Sequence, residues 1–187
     1  MATMKALNSK QGMSVLTYLK GTTSSKRDRN VALWAVGIGT GLRISDILDL
    51  RWKDVISGDN TISGTIKMVE GKTSQVRIIE LCPMVVDALE AYRTSKTDSS
   101  RLVFDLSRQQ SSRLVAQWCA AVNLRGTYGA HSMRKCFCST VYDHSGGDVV
   151  SASRVTGHSN PSQLLAYIGQ SAPTVRQIWK GVSDSFA

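Results

Sequence analysis

The sequence holds few of the residues that build disulfide-linked or metal-rich folds. Its 187 residues include four cysteines and three histidines, and no two cysteines form a C-x-x-C pair. Because no signal peptide precedes them, the cysteines indicate reduced thiols in an intracellular protein. The longest apolar run, residues 31–42, is too short to cross a bilayer and is interrupted by glycines. These absences predict a cytoplasmic protein that does not enter a membrane.

Charge is plentiful but scattered along the chain. The formal net charge is +9 and the pI is near 9.7, which favours an acidic partner such as nucleic acid or an anionic membrane surface. A basic protein without a polyanionic partner is the alternative. Since no long block of lysine or arginine occurs, the charge predicts a basic face on a folded domain and not a basic tail.

The apolar pattern predicts helices interrupted by one β-hairpin. An S-x-x-D cap at Ser25 starts an apolar helix that ends near Gly41, and a short helix follows over residues 42–52. Residues 61–81 alternate like two strands around a turn at Glu70 and Gly71. Later helices are predicted to start at Pro83, at Ser107, near His131, after Asp148 and at Pro161. The predicted fold class is mainly α with a small antiparallel β-sheet (α+β).

Two charged motifs are candidates for binding an anion. Arg43 follows a glycine-flanked turn among apolar residues, where a guanidinium needs an anionic partner. An internal ion pair with Asp46 or Asp49 is the alternative. His131 and Arg134 are three residues apart and therefore share a helix face, from which both can donate hydrogen bonds to phosphate. A surface helix that happens to contain both is the alternative.

Three further residues have ordinary explanations when each is taken alone. His158 follows Gly157 at a predicted helix end, and Tyr167, nine residues later, fits a packing role. Lys72 lies beside a turn glycine, where lysines are usually solvated. A zinc site would take its ligands from His131, Cys136, Cys138 and His144. It has little support, because a C-x-C pair with histidines at these separations matches no usual ligand spacing.

Taken in order, these motifs resemble the tyrosine recombinase or phage integrase family. They are TGLRISD, a hairpin-turn lysine, H-x-x-R, and GH followed nine residues later by tyrosine, within about residues 30–168. The resemblance implies the tyrosine recombinase catalytic-domain fold as a single domain over residues 1–187. It also implies that the N-terminal core-binding domain is absent, so that the chain is either an excised catalytic domain or a naturally short recombinase. Residues 169–187 would dock onto a neighbouring subunit or fold back on their own core.

The resemblance implies a chemical role for each motif residue. Tyr167 would attack a DNA phosphodiester, leaving a 3′-phosphotyrosine and a free 5′-hydroxyl. Arg43, Arg134 and His158 would donate hydrogen bonds to the non-bridging oxygens, which gain charge in the transition state. The implied active site consists of Arg43, Lys72, His131, Arg134, His158 and Tyr167.

Proton transfer falls to the remaining residues of this set. Lys72 would protonate the departing 5′-oxygen, with Lys67 as the alternative lysine. His131 would act as acid or base while Tyr167 loses its proton. Asp46 would orient Arg43, and a helix cap is the alternative role for this carboxylate. Because the phosphotyrosine stores the bond energy, this chemistry needs no cofactor, no metal and no ATP.

The implied function is site-specific DNA recombination with double-stranded DNA as the partner. The chain would assemble as a homo-oligomer, a tetramer, on DNA while remaining a monomer free in solution. It would be a cytoplasmic, nucleoid-associated protein that is prokaryotic or phage-encoded. Accessory DNA-bending proteins are compatible with this function. Two alternatives stay open: a catalytically silent integrase-fold regulator that binds DNA, and a type IB topoisomerase-like nicking-closing enzyme. The six intact residues favour an active enzyme over the regulator.

Overall fold

The structure is a computed structural model of the chain and describes residues 4–69, 76–94, 98–170 and 175–185. It divides into two compact units, Met1–Thr140 and Val141–Ala187, and each is described by itself. The strands are β1 Thr65–Val69 and β2 Val76–Glu80. The helices are α1 Ser9–Lys20, α2 Arg27–Thr40, α3 Ile44–Asp49, α4 Trp52–Val55, α5 Pro83–Tyr92, α6 Arg108–Ala121, α7 Ala130–His144, α8 Val149–Thr156, α9 Pro161–Ile168 and α10 Val175–Asp184.

These elements confirm the predicted fold class, which is mainly α with one small antiparallel sheet. Helix α5 begins at Pro83 as predicted. The cap predicted at Ser25 is wrong, because α2 begins at Arg27 and no side chain caps it. Ser24 accepts a hydrogen bond from the Lys26 amide at 3.2 Å instead, and the chain turns there before the helix begins. Within the described residues, no helix is long and apolar enough to cross a membrane.

Helix α2 forms the centre of the first unit. Its residues 31–36 are all buried, as is typical of a helix that is apolar on every side. Helices α1 and α5 both pack against it. The indole Nε1 of Trp34 donates a hydrogen bond to the Gly12 carbonyl at 2.9 Å, so the polar atom of this fully buried ring is satisfied.

Two glycines allow α7 to lie close to the C-terminal half of α2. A Cβ added at Gly37 would lie 2.5 Å from the sulfur of Met133. Gly41 ends α2 with a φ of +63°, a left-handed conformation that glycine adopts without steric cost. A Cβ at Gly41 would overlap the ring of Phe137. The apolar face of α7 therefore packs where α2 has no side chains.

One face of the hairpin is buried and the other is exposed, and both carry apolar residues. Strands β1 and β2 are antiparallel, and Ile66 pairs with Ile79; both are buried. Arg77 shares the face of Ile79 and is half-buried, whereas Val76 and Ile78 are 60% and 69% exposed on the other face. The two predicted strands are confirmed, and their connecting turn lies outside the described residues.

The second unit contains α8 and α9, which pack against each other. The Asp148 carboxylate caps α8, as predicted, and Gly157 ends this helix with a φ of +71°. The Asn160 side chain caps α9, whose first residue is Pro161. Leu164 is fully buried. The GHSN sequence is thus the short connection between two capped helices.

We expect Gly41→Ala to lower the free energy of unfolding. The substitution places a side chain in a left-handed conformation, which costs about 1–3 kcal/mol, and adds an overlap with the Phe137 ring. The matched control is Gly58→Ala, since no atom lies within 4 Å of a Cβ built there. Chemical denaturation followed by circular dichroism measures both variants. Equal stabilities for the two variants would contradict the packing described for Gly41.

Candidate active site

Arg43 is positioned by the turn that joins α2 to α3. It is the N-cap residue of α3, and its Nη1 lies 3.9 Å from Oδ2 of Asp46 one helical turn later. The Asp46 side chain is 5% exposed, whereas that of Arg43 is 22% exposed. The carboxylate thus lies on the buried side of the guanidinium. The ion pair considered from the sequence is present, and it leaves part of Arg43 open to solvent.

Arg134 on α7 is a buried charge, with 4% exposure. Its Nη1 donates a hydrogen bond to the carbonyl oxygen of Gly41. A buried guanidinium requires such partners, because its desolvation is costly. Since Gly41 lies two residues before Arg43, this hydrogen bond ties the two arginines to the same turn.

His131 lies in the first turn of α7, one helical turn before Arg134. Burial lowers the pKa of His131 from its ordinary value of 6.5, and the positive charges of Arg134 and Lys135 lower it further. Although the residue as a whole is exposed, the shielding of part of the imidazole is the largest of these causes. The lowered pKa therefore favours the uncharged form of the ring at neutral pH.

Lys135 anchors the start of the described chain against α7. It is buried, with 9% exposure, and its Nζ donates a hydrogen bond to the Met4 carbonyl at 2.9 Å. The Lys5 amide donates to the Thr127 carbonyl at 3.0 Å, and Leu7 is fully buried. The segment of residues 4–7 is therefore held against α7 and the residues just before it.

The two cysteines of α7 are buried and unreactive. Burial raises the pKa of Cys136 to about 12 and that of Cys138 to about 11. The guanidinium groups of Arg134 and Arg77 lower the Cys138 pKa in part, which places both arginines near this thiol. Because the thiolate is the nucleophilic form of cysteine, neither residue is available as a nucleophile at neutral pH.

The second unit pairs His158 with Tyr167. Their ring centroids are 5.4 Å apart and the ring planes are inclined by 48°. Nδ1 of His158 is 2.7 Å from the hydroxyl oxygen of Thr156, and the His158 amide donates to the Ser153 carbonyl at 2.9 Å. The histidine is thus held at both its backbone and its ring.

The residues considered for zinc do not form a metal site. Within the described ranges, no group of three or more His, Cys, Asp or Glu side chains is arranged to hold a metal ion. All four cysteines are free thiols, and only Cys82 is exposed.

The model of the phage integrase family matches residues 5–172 of the chain. The chain belongs to the phage integrase family. The match extends beyond the motif-bearing residues 30–168 toward the N-terminus. This extension includes α1 and the segment around Lys5 that is anchored on α7.

Two curated proteins are similar to this chain in sequence. The probable integrase/recombinase YoeC of Bacillus subtilis is 30% identical over 162 residues, which cover 83% of this chain and 86% of that protein. The tyrosine recombinase XerC of Mesorhizobium japonicum is 27% identical over 161 residues, covering 81% of this chain and 50% of XerC. The chain thus spans about half the length of XerC.

Solved structures share the fold at low sequence identity. The XerH site-specific recombinase, crystallised with its difH substrate in a pre-cleavage complex, gives a TM-score of 0.73 at 19% identity, over 98% of this chain and 55% of that one. The catalytic domain of bacteriophage HP1 integrase gives 0.62 at 16% identity, over 95% and 94%. The predicted tyrosine recombinase catalytic-domain fold is thereby confirmed.

The predicted site residues fall into three groups in this integrase fold. Arg43, His131 and Arg134 belong to the first unit, and His158 and Tyr167 to the second. Lys72 lies outside the described residues. The alternative lysine, Lys67, pairs with Ile78 on β2 and is exposed. The catalytic roles of all these predicted site residues stay predictions.

Three residues near these groups were not singled out from the sequence. Arg77 brings a positive charge close to Cys138, Lys135 brings one close to His131, and Thr156 contacts the His158 ring. Thr156 carries a local sequence signal, because a threonine two residues before a helix-end histidine can reach its ring. Lys135 also carries one, because it lies four residues after His131 on the same helix. No local signal marks Arg77, since its position near α7 depends on packing between distant segments.

We expect the His131 imidazole to titrate below pH 6.5 in the native chain. Replacing the neighbouring charge with Lys135→Met should raise this midpoint, because one of the two cations that disfavour protonation is removed. Lys53→Met, which removes an exposed lysine, serves as the control. NMR titration of the imidazole resonances measures all three proteins. A midpoint that does not move in Lys135→Met would show that this ammonium has no influence on His131.

Proposed function

We propose that the protein is a site-specific DNA recombinase that cleaves and rejoins strands through a 3′-phosphotyrosine at Tyr167. The observation that carries this proposal is the arrangement of two arginines at one turn: Arg134 donates a hydrogen bond to the Gly41 carbonyl, and Arg43 follows in the same turn, where it pairs with Asp46. Family membership supports it. The relatives named as recombinases, and XerH crystallised with difH, suggest double-stranded DNA as the substrate.

Tyr167 is the proposed nucleophile, and the protonation of the buried cysteines supports this choice. The thiols of α7 hold their protons at neutral pH because burial raises their pKa values. Tyr167 is the motif tyrosine, and its ring lies 5.4 Å from an imidazole. In the proposed first step the phenolate oxygen of Tyr167 bonds to phosphorus and the bond to the 5′-oxygen breaks. Attack by a 5′-hydroxyl on the phosphotyrosine reverses these changes and joins the strands.

Arg43 and Arg134 stabilise the non-bridging oxygens in this scheme. Their charge is permanent, since guanidinium groups do not deprotonate in proteins. Loss of one preorganised donor of this type typically lowers the rate ~10²–10³-fold. Asp46 orients Arg43 through their ion pair. The neutral His131 can take up or release a proton near this charge, which fits a role in acid–base chemistry.

Assembly on DNA is the remaining part of the proposal. The net charge of +9 favours a polyanion, and Trp179 and Val182 on α10 are 66% and 41% exposed. These side chains are spaced like one face of a helix. A tetramer on two DNA segments, joined through such tails, is therefore the proposed active form, and a monomer is proposed for the free chain.

A regulator that binds DNA without cutting it is the second candidate, and a type IB topoisomerase-like enzyme is the third. The regulator does not require Tyr167 beside a held histidine. The topoisomerase-like enzyme would use the same chemistry but would reseal the strand that it cut. Its products, and not its active site, therefore distinguish it from a recombinase.

We expect a covalent protein–DNA adduct when the full chain is mixed with nicked duplexes from the region flanking its gene. The phenol oxygen of Tyr167 forms the bond, and a nick just 3′ of the scissile phosphate lets the short fragment that carries the new 5′-hydroxyl diffuse away, so that the adduct accumulates. Denaturing electrophoresis measures the adduct. Tyr167→Phe should abolish it, whereas the matched control Tyr142→Phe should retain it.

Each other outcome selects a different function. An adduct that survives Tyr167→Phe would overturn the assignment of the nucleophile. DNA binding without an adduct would favour the regulator. Relaxation of supercoiled plasmid without exchange between two duplexes would favour the topoisomerase-like enzyme.

We expect Lys72→Ala to slow cleavage of ordinary DNA by roughly 10²–10⁴-fold, the range for a general acid. A duplex with sulfur in place of the scissile 5′-oxygen should restore cleavage, because a thiolate leaves without protonation. Lys67→Ala is the matched control, and adduct formation over time measures all three proteins. If the sulfur substrate rescues Lys67→Ala instead, Lys67 is the acid.

A further inference from the structure

We propose that Thr156 is a positioning residue that fixes the proton of the His158 ring on Nδ1. In its neutral form the ring then presents a lone pair at Nε2, and it donates a hydrogen bond from Nε2 only as imidazolium. The consequence for catalysis rests on the proposed function, whereas the position of the proton is a property of the free chain.

The hydroxyl of Thr156 is surrounded by three polar atoms. Thr156 is the last residue of α8 and is fully buried. Its Oγ1 lies 2.8 Å from the Ala152 carbonyl oxygen, 3.4 Å from the Ser153 carbonyl oxygen and 2.7 Å from Nδ1 of His158. All of these residues belong to the second unit.

Counting hydrogens decides the direction of each hydrogen bond. A threonine hydroxyl carries one hydrogen, and a carbonyl oxygen can only accept. The hydroxyl hydrogen therefore points to the Ala152 carbonyl, as is common for threonines in helices. If it pointed to His158 instead, two oxygens would face each other at 2.8 Å without a hydrogen between them. The contact with Nδ1 must then use a hydrogen on the ring.

The backbone holds His158 in the place where this contact forms. Gly157 adopts a left-handed conformation at the end of α8, and the His158 amide donates to the Ser153 carbonyl. The imidazole is thereby fixed both by its main chain and by Nδ1. The partner of one ring nitrogen sets the tautomer of a histidine, so the chemistry at Nε2 is set by Thr156.

This assignment changes what His158 can do in the proposed reaction. The neutral ring accepts a hydrogen bond at Nε2, for example from a phenol such as that of Tyr167, whose ring is 5.4 Å away. Donation from Nε2 to a phosphate oxygen requires the ring to hold a second proton. The opposite tautomer would donate while neutral, so a hydroxyl at position 156 selects between two catalytic roles.

Two-dimensional ¹⁵N NMR of the uniformly labelled full chain tests the tautomer directly. The chain has three histidines, and the ring resonances that vanish in His158→Asn identify His158. Above the titration range, we expect Nδ1 to show the shift of a protonated nitrogen and Nε2 that of an unprotonated one. Thr156→Ser, which keeps the hydroxyl, should preserve this pattern. In Thr156→Val both tautomers become accessible, so the two shifts should move toward each other.

Two outcomes of this measurement would overturn the proposal. One is an Nε2-protonated ring in the native chain. The other is an unchanged pattern in Thr156→Val, which would show that another group sets the tautomer. The NMR result needs no DNA. A native chain that shows the expected pattern but forms no adduct on any duplex would therefore refute the recombinase function and leave the tautomer assignment standing.

Adduct formation by the same variants tests the catalytic consequence. We expect Thr156→Val to slow it by roughly 10–100-fold, the range found when the partner that orients a metal-bound histidine is removed. Thr156→Ser should stay within about twofold of the native rate, since its hydroxyl still accepts from Nδ1. Equal rates for the two variants, despite different ring shifts, would refute the positioning role.

Discussion

The hydrogen bond from Arg134 to the Gly41 carbonyl is the contact on which the two candidate arginines of the first unit depend. It brings a buried guanidinium from α7 to the turn before α3, and that turn also carries Arg43. At this turn Gly41 is left-handed, and the Phe137 ring lies where a side chain on Gly41 would be. A backbone carbonyl carries no net charge, so this hydrogen bond satisfies a donor of the buried guanidinium without cancelling its positive charge.

The sequence predicted the elements of the fold better than it predicted their faces. Helix ends followed local rules, as at Gly41 and Pro83, because caps and proline act on neighbouring residues. The cap at Ser25 was wrong, since a competing turn used Ser24. In β2 the alternation gave the strand, but Arg77 lies on the inner face and Ile78 on the exposed face. Periodicity alone does not specify which face meets the core.

The candidate site was predictable where its residues are neighbours in sequence. The spacing of His131 and Arg134 places both on one face of α7, and the structure confirms that helix. The fixed geometry around them was not predictable, because Lys135 bonds to Met4 from the other end of the chain. The spacing within a motif predicts which side chains share a helix face. Contacts between distant segments then determine how those side chains are oriented.

Different physical causes set the protonation of His131 and the tautomer of His158, which fits different roles for the two histidines in the proposed reaction. His131 is kept neutral by burial and by the cations beside it, so its protonation responds to any anion that offsets those charges. His158 is held through a hydroxyl that accepts from Nδ1, so its orientation and tautomer are fixed before a substrate arrives. The arginines supply charge that never changes with protonation. A phosphoryl-transfer site needs both kinds of group: permanent charge for the equatorial oxygens, and imidazoles whose protons can move with the nucleophile and the leaving group.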